Sequence, residues 1–380
     1  MATSNARIIE ELAVLFLKLG STAFGGPAVH IALMEEEVVR KRKWMSHKEF
    51  LDLVSITNFI PGPNSTELAI HIGYLRAGWL GLLVAGISFI APSALIVTAC
   101  ASFYVQYGHV PQVASIFYGI KPVMVAVVGQ ALWTLGKSIC RTQIDYLVVA
   151  LSVLLTFVGM HELAVLFVSG FLVASFKGFQ RSTKNEGISG LVGGLSVGAT
   201  TTAAIATVSN KAIFVTFIKI GSMLFGSGYV LIAFLRTEFV EKLQWLSESQ
   251  LLDAVSIGQI TPGPVFTTAT FVGYLLNGTQ GAFFATSGIF LPAFFFVAIS
   301  GLIVPSIRKS KPAGYFLDGL NLASLALMIA ISFQLGKAAL VDYLTVFISI
   351  ISLCLMVKYK VKSATLFAAG AFFGFLKNFL

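Results

Sequence analysis

The sequence predicts an all-α polytopic membrane protein made of two inverted-topology repeats, each carrying a broken or re-entrant Pro-Gly-Pro helix. Three observations carry this reading. The 380 residues are 56% hydrophobic and 11% charged, with a mean hydropathy of +0.86, far from the balance of a soluble domain. Proline lacks a backbone donor and obstructs the preceding turn, so Pro61-Gly62-Pro63 and Pro262-Gly263-Pro264 cannot sit inside continuous helices. The two breaks occupy matching places in similar halves, and in hydrocarbon such backbone persists only where protein buries it or a watery cavity faces it.

Residues 1–11 carry no cleavage-site pattern, so no removable signal peptide is expected. The first apolar segment, 12–33, contains Lys18 and ends in Ser21-Thr22-Ala23-Phe24-Gly25-Gly26-Pro27, which predicts a break near its end. There, Gly25-Gly26 allows close backbone approach to a ligand or, equally, a bend or tight helix packing. Residues 34–49 bear Glu35-Glu36-Glu37 and Arg40-Lys41-Arg42-Lys43, expected as a charged loop outside the hydrocarbon. Segment 50–74 holds the first Pro-Gly-Pro among Asp52, Asn58, Asn64, Ser65, Thr66, Glu67 and His71, too polar for a lipid-facing span. Apolar segments follow at 80–104 and 113–135, the second with Lys121 beside Pro122. Runs at 146–160 and 163–176 flank His161-Glu162 as a helical hairpin.

The basic stretch 177–187 closes the first repeat, placed at 1–187. Residues 188–210 form a linker or an extra span, and 211–380 form the second repeat. Phe16, Lys18, Gly20-Ser21, Phe24-Gly25, Trp44, Asp52 and Pro61-Gly62-Pro63 meet Phe217, Lys219, Gly221-Ser222, Phe225-Gly226, Trp245, Asp253 and Pro262-Gly263-Pro264 at one spacing. If each Pro-Gly-Pro segment enters and leaves on one side, Arg40, Lys41, Arg42, Lys43, Lys48, Arg76, Lys137, Arg141 and Lys177 share a face. In the second half the basic face is then the opposite one. This inverts the second copy and gives about ten full spans plus two re-entrant elements.

The scattered Cys100, Cys140 and Cys354 and the dispersed histidines supply no metal-ligand set, and no phosphate loop or dinucleotide fingerprint is present. Neither a cofactor nor an enzyme is expected. The net charge of +9 reads as a topology and lipid-surface signal, with no basic-aromatic module for nucleic acid. Small-residue faces allow a homodimer as well as packing within one chain.

A helix starting after Pro63 or Pro264 presents free amides to an anion, and Asn64, Ser65, Thr66, Thr267 and Thr268 add polar contacts. Lys18 and Lys219, at equivalent positions, attract an anion or instead snorkel or pair with an acid. Glu67, whose counterpart is Thr268, is a proton-coupling candidate together with His71, or else a helix-terminal carboxylate.

Phe24-Gly25-Gly26-Pro27 with His30, Pro61-Gly62-Pro63-Asn64-Ser65-Thr66-Glu67, Phe225-Gly226-Ser227-Gly228-Tyr229 and Thr261-Pro262-Gly263-Pro264-Val265-Phe266-Thr267-Thr268 closely resemble the two-domain chromate transporter family over nearly the whole chain. The resemblance implies a multi-pass inner-membrane protein that exports chromate and confers chromate resistance, with sulfate as a competing dianion. It adds Gly226, Ser227 and Gly228, the counterparts of Gly25-Gly26-Pro27, to the substrate-binding candidates. Alternating access around a midplane site is the expected mechanism. Uptake or exchange of sulfate or another oxyanion, and an anion channel, are the alternatives.

Overall fold

The computed structural model describes residues 2–108, 110–182, 208–225 and 228–377. The expected linker or extra span lies outside them over 188–207, as do Gly226 and Ser227.

The first half runs α1 (Ala2–Thr22), α2 (Pro27–Glu35), α3 (His47–Thr57), α4 (Asn64–Tyr107), α5 (Pro111–Ile139), α6 (Gln143–Phe157) and α7 (Glu162–Ser182). The second runs α8 (Asn210–Met223), α9 (Leu231–Leu235), α10 (Glu248–Ile260), α11 (Thr268–Lys309), α12 (Lys311–Ala339), α13 (Tyr343–Tyr359) and α14 (Ser363–Leu376). Capping boxes mark matching helix starts in both halves. Ser46 with Glu49 opens α3 and Ser247 with Gln250 opens α10, while Thr142 with Asp145 opens α6 and Asp342 with Thr345 opens α13.

The expected charged loop is helical instead. α2 runs on into a π-helical turn, Glu36–Lys41, and the second half repeats this at Arg236–Lys242. Pairs one turn apart, Glu36 with Arg40 and Glu37 with Lys41, let the charged run keep its helical bonds, which its polarity alone did not reveal.

α4 is two arms. Ala77 and Gly78 leave helical geometry, with Gly78 at φ 59°, and Asn277 and Gly278 do the same in α11, with Gly278 at φ 56°. The short arm 64–76 folds back on the long arm so closely that a Cβ on Gly81 would stand 2.1 Å from the Gly73 carbonyl oxygen. The matching distance from Gly281 to Gly273 is 2.0 Å. Where lipid supplies no hydrophobic drive between helices, such backbone contact is a main source of packing energy.

Among the described residues, four helices are long and apolar enough to cross a membrane, within 64–107, 111–139, 265–300 and 312–339. This is fewer than the full spans expected from the sequence. The apolar α6 has 15 residues, a rise of about 22 Å against a hydrocarbon core of roughly 30 Å, and α13 and α14 are similarly short.

The core is uneven between the halves. Leu12, Phe16, Met34, Phe50, Leu68 and Phe89 form a separate cluster within α1–α4. Their second-half equivalents, among them Ile213, Phe217, Leu235, Leu251 and Ile289, merge into the main core with α5 and α12. A polar latch joins that core to α10: Asp253 accepts from Tyr104 Oη at 2.7 Å and pairs with Lys121 Nζ at 2.9 Å. Lys121→Met is expected to cost about 3 kcal/mol by leaving a buried carboxylate unpaired, and Asp253→Asn in the same chain to recover most of it. Thermal melts in detergent showing simply additive losses would remove the latch.

Candidate functional site

Each Pro-Gly-Pro element bonds to the opposite half. After α3 ends at Thr57, residues 58–63 leave helical geometry, Gly62 takes φ 141°, and α4 starts at Asn64. Gly62 N–H donates to the Leu224 carbonyl just beyond α8, at 2.7 Å. Gly263 N–H donates to the Ala23 carbonyl just beyond α1, at 2.9 Å. Leu224 and Ala23 are counterparts, so the bonds cross between the halves as a matched pair. Free hydrogen-bonding groups released by each proline break are thus taken up by the opposite half.

This placement decides what each candidate can offer. The Gly62 and Gly263 amides are engaged in the crossed bonds. Pro61, Pro63, Pro262 and Pro264 are buried around them. At the mouth of α4, Thr66 and Glu67 amides both donate to the Pro63 carbonyl, while the amides of Asn64 and Ser65 precede any intrahelical acceptor. Gly25 is exposed at φ 118° and Gly26 buried at φ 79°. Buried Gly228 lies by Pro27 and Phe266, so the loops after α1 and α8 close on the same junction.

Polar side chains gather on the first-half break. Asn64 Nδ2 donates to Asn58 Oδ1 at 2.9 Å, and Ser65 Oγ lies 3.3 Å from His30 Nδ1. Thr66 Oγ1 and both Glu67 carboxylate oxygens are buried with no hydrogen-bond partner. The Glu67 carboxylate folds over the break, since a Cβ on Gly62 would stand 2.4 Å from its Oε1. His71, one turn on, lies 3.4 Å from Ser300 Oγ.

The second break is more self-contained. Thr267 Oγ1 lies 2.9 Å from Ser93 Oγ and donates to Pro264, and Thr268 Oγ1 donates to Val265. His30, Ser65 and Glu67 are replaced there by Leu231, Phe266 and Thr268. At these three positions the ionisable groups sit on the first-half break, and the second half has two apolar residues and a threonine. A groove of about 640 Å³ between α4 and α11 is lined by Leu83, Ile87, Phe283 and Leu291 and lacks the polar groups of the break.

Lys18 and Lys219 are drawn to acids. Lys18 Nζ lies 3.0 Å from Glu37, and Lys219 Nζ lies 2.9 Å from Glu238, each acid also holding Lys41 or Lys242. Burial works against the charge on Glu37 and Glu238, yet their lysine partners hold both carboxyls below the ordinary value of 4.5. With folded values depressed, the stability these groups contribute is present above pH 4.5 and lost as pH falls below it. Lys18→Met with Lys219→Met is expected to flatten that acid-side fall in melting temperature. An unchanged acid limb would remove the pairs from the stability balance.

The sequence pattern described as Chromate transporter matches residues 10–174 and again residues 211–375. A "Chromate transport protein" of Cupriavidus metallidurans is 28% identical over 374 residues, 97% of this chain and 93% of that protein. A "Chromate transport protein" of Pseudomonas aeruginosa is 30% identical over 366 residues, covering 93% of this chain and 88% of that protein. A "Probable chromate transport protein" of Synechococcus elongatus is 29% identical over 353 residues, 91% and 89% of the respective chains. No solved structure matches the chain.

Proposed function

Because the chain belongs to the chromate transporter family, we propose that it carries chromate outward across the inner membrane, with sulfate as a competing dianion. The observation that carries this reading is the first-half break, bonded to the opposite half through Gly62, with Ser65, Thr66 and Glu67 at the mouth of α4. A helix start favours an anion through its first amides and axial dipole. The Asn64 and Ser65 amides with the Ser65 and Thr66 hydroxyls form the oxyanion-facing set, while the second break acts as its scaffold.

The repeats, 1–187 and 211–380, are inverted in the membrane, and each Pro-Gly-Pro element re-enters without crossing. Transport proceeds by alternating access. The observation that supports this is that α1, α2, α3 and the adjoining part of α4 pack around a cluster of their own, while the far end of α4, with Tyr104, joins the main core and the latch to Asp253. The first-half bundle moves while the latched half stays. A cell interior at negative potential favours expulsion of a dianion.

The test is chromate flux into sealed vesicles of purified protein at set membrane potential and pH gradient, with sulfate as competitor. Saturable chromate movement is expected. Robust movement of another oxyanion without chromate would replace the substrate, current linear in the gradient would indicate a channel, and no anion movement would overturn the reading.

A further inference from the structure

His30 is absent from the oxyanion-facing set, yet it is wired into it. Its ring is buried and held edge-on against Phe89, with centroids 5.5 Å apart and planes at 90°. Nε2 lies 3.1 Å from the Ala23 carbonyl, the same oxygen that accepts the crossed bond from Gly263. Nδ1 lies 3.3 Å from Ser65 Oγ. A carbonyl only accepts, so Nε2 must carry a proton. In a neutral imidazole Nδ1 then has a lone pair and no hydrogen, and the Ser65 hydroxyl must donate to it.

That assignment fixes what Ser65 can do. While its hydrogen points at Nδ1, the hydroxyl shows an anion only lone pairs, which repel it. Adding a proton from water to Nδ1 reverses the bond: the ring donates to Ser65 Oγ and the hydroxyl hydrogen is free to turn. Beside it, the Thr66 hydroxyl is buried without a partner, so an acceptor entering there meets a donor that lacks one, while the equally unpartnered Glu67 carboxyl can donate only when protonated.

We propose that His30 is a positioning residue of the oxyanion site, holding the Ser65 hydroxyl turned away from the anion when neutral and releasing it to donate when Nδ1 gains a proton. The inference rests on the oxyanion reading above. The elements around the ring bring few competing groups. Lys18 of α1 is held by Glu37, and His47 at the start of α3 by Glu35. α3 also carries Asp52, the short arm of α4 carries Glu67 and His71, and the second half brings the Gly263 amide. Leu231 stands at the equivalent place in the second half and cannot repeat the device there.

The test pairs a spectrum with a pH profile. The nitrogen NMR signals of isotope-labelled histidine, assigned with His30→Gln, are expected to show His30 as the Nε2–H tautomer at alkaline pH and to shift at Nδ1 in Ser65→Ala. In vesicles, apparent chromate affinity of the wild type is expected to strengthen about tenfold as pH falls through the His30 titration that the Nδ1 signal reports, the worth of one hydrogen bond to a charged group. His30→Gln presents the same donor and acceptor but cannot take the proton, so it should lose this dependence. Ser65→Ala should lose it too, and the double variant should lose nothing more. The anion's own protonation is common to all variants and cancels in the comparison. A His30→Gln profile as steep as wild type, or an Nδ1–H tautomer, would overturn the inference and leave the transport reading standing. Wild-type vesicles that move no oxyanion would overturn the transport reading itself, and the tautomer would still decide whether His30 holds Ser65.

Discussion

Gly81→Leu is expected to remove folded protein from the membrane. A Cβ at residue 81 would stand 2.1 Å from the Gly73 carbonyl oxygen and 2.9 Å from the Ala77 Cβ, and the closest obstacle is helix backbone that cannot rotate aside. Overpacking a tight core costs about 1–3 kcal/mol when side chains can yield, and more where they cannot, as here. The short arm of α4 would swing off the long arm, taking with it the mouth of the helix where Ser65, Thr66 and Glu67 sit. Gly129 provides the control. A Cβ there meets nothing within 4 Å, so Gly129→Ala should be neutral or stabilising by about 0.5–1 kcal/mol. Size-exclusion traces and melting temperatures of the two variants in detergent check the contrast. A monodisperse Gly81→Leu protein melting within a few degrees of wild type would mean that the hairpin opens at no cost.

Much of this arrangement is legible before any coordinates. The Phe16, Lys18 and Pro-Gly-Pro register predicts that α8–α14 repeat α1–α7, and the gap left between segments 50–74 and 80–104 falls on the turn at Ala77 and Gly78. What sequence reasoning missed is partnership. Nothing in Gly62 or Gly263 says that its amide will be taken by the opposite half, because that bond depends on how two distant loops pack. The acids that hold Lys18 and Lys219 did leave a signal. Lys18 and Glu37 are 19 residues apart, as are Lys219 and Glu238, a spacing kept in both halves. His30 left one too, as a histidine inside a motif whose repeat counterpart is Leu231, but its bond to Ser65 needed α2 and α4 to be placed. The expected span count and the helices of membrane-crossing length among the described residues differ for another reason. Apolar composition identifies α6, α13 and α14 without fixing their lengths, and each ends a few residues short of the bilayer's width.

The uneven halves have a mechanistic consequence that Glu67 tests. A dianion at the mouth of α4 would lie beside a carboxylate that is fully buried and without a hydrogen-bond partner. Two unit negative charges about 4 Å apart repel by about 4 kcal/mol at the effective dielectric of partly wet protein, and a dianion roughly doubles that. Anion and bare carboxylate therefore exclude one another, and a proton on Glu67 is the simplest way for both to be present. Loading the site would then move a proton with the anion. Thr268, at the equivalent position, already donates its hydroxyl to Val265 and offers no second carrier. Glu67→Gln keeps the shape, supplies a permanently neutral group, and breaks this coupling. In vesicles held at zero potential, a pH gradient is expected to drive chromate accumulation by the wild type and to drive at least about tenfold less in Glu67→Gln, consistent with losing the several-kcal/mol link. Chromate-for-chromate exchange needs no net proton movement and should persist in the variant. Accumulation by Glu67→Gln equal to that of the wild type would place the proton elsewhere, and His71, one turn along the same arm and 3.4 Å from Ser300, would be the next group to neutralise.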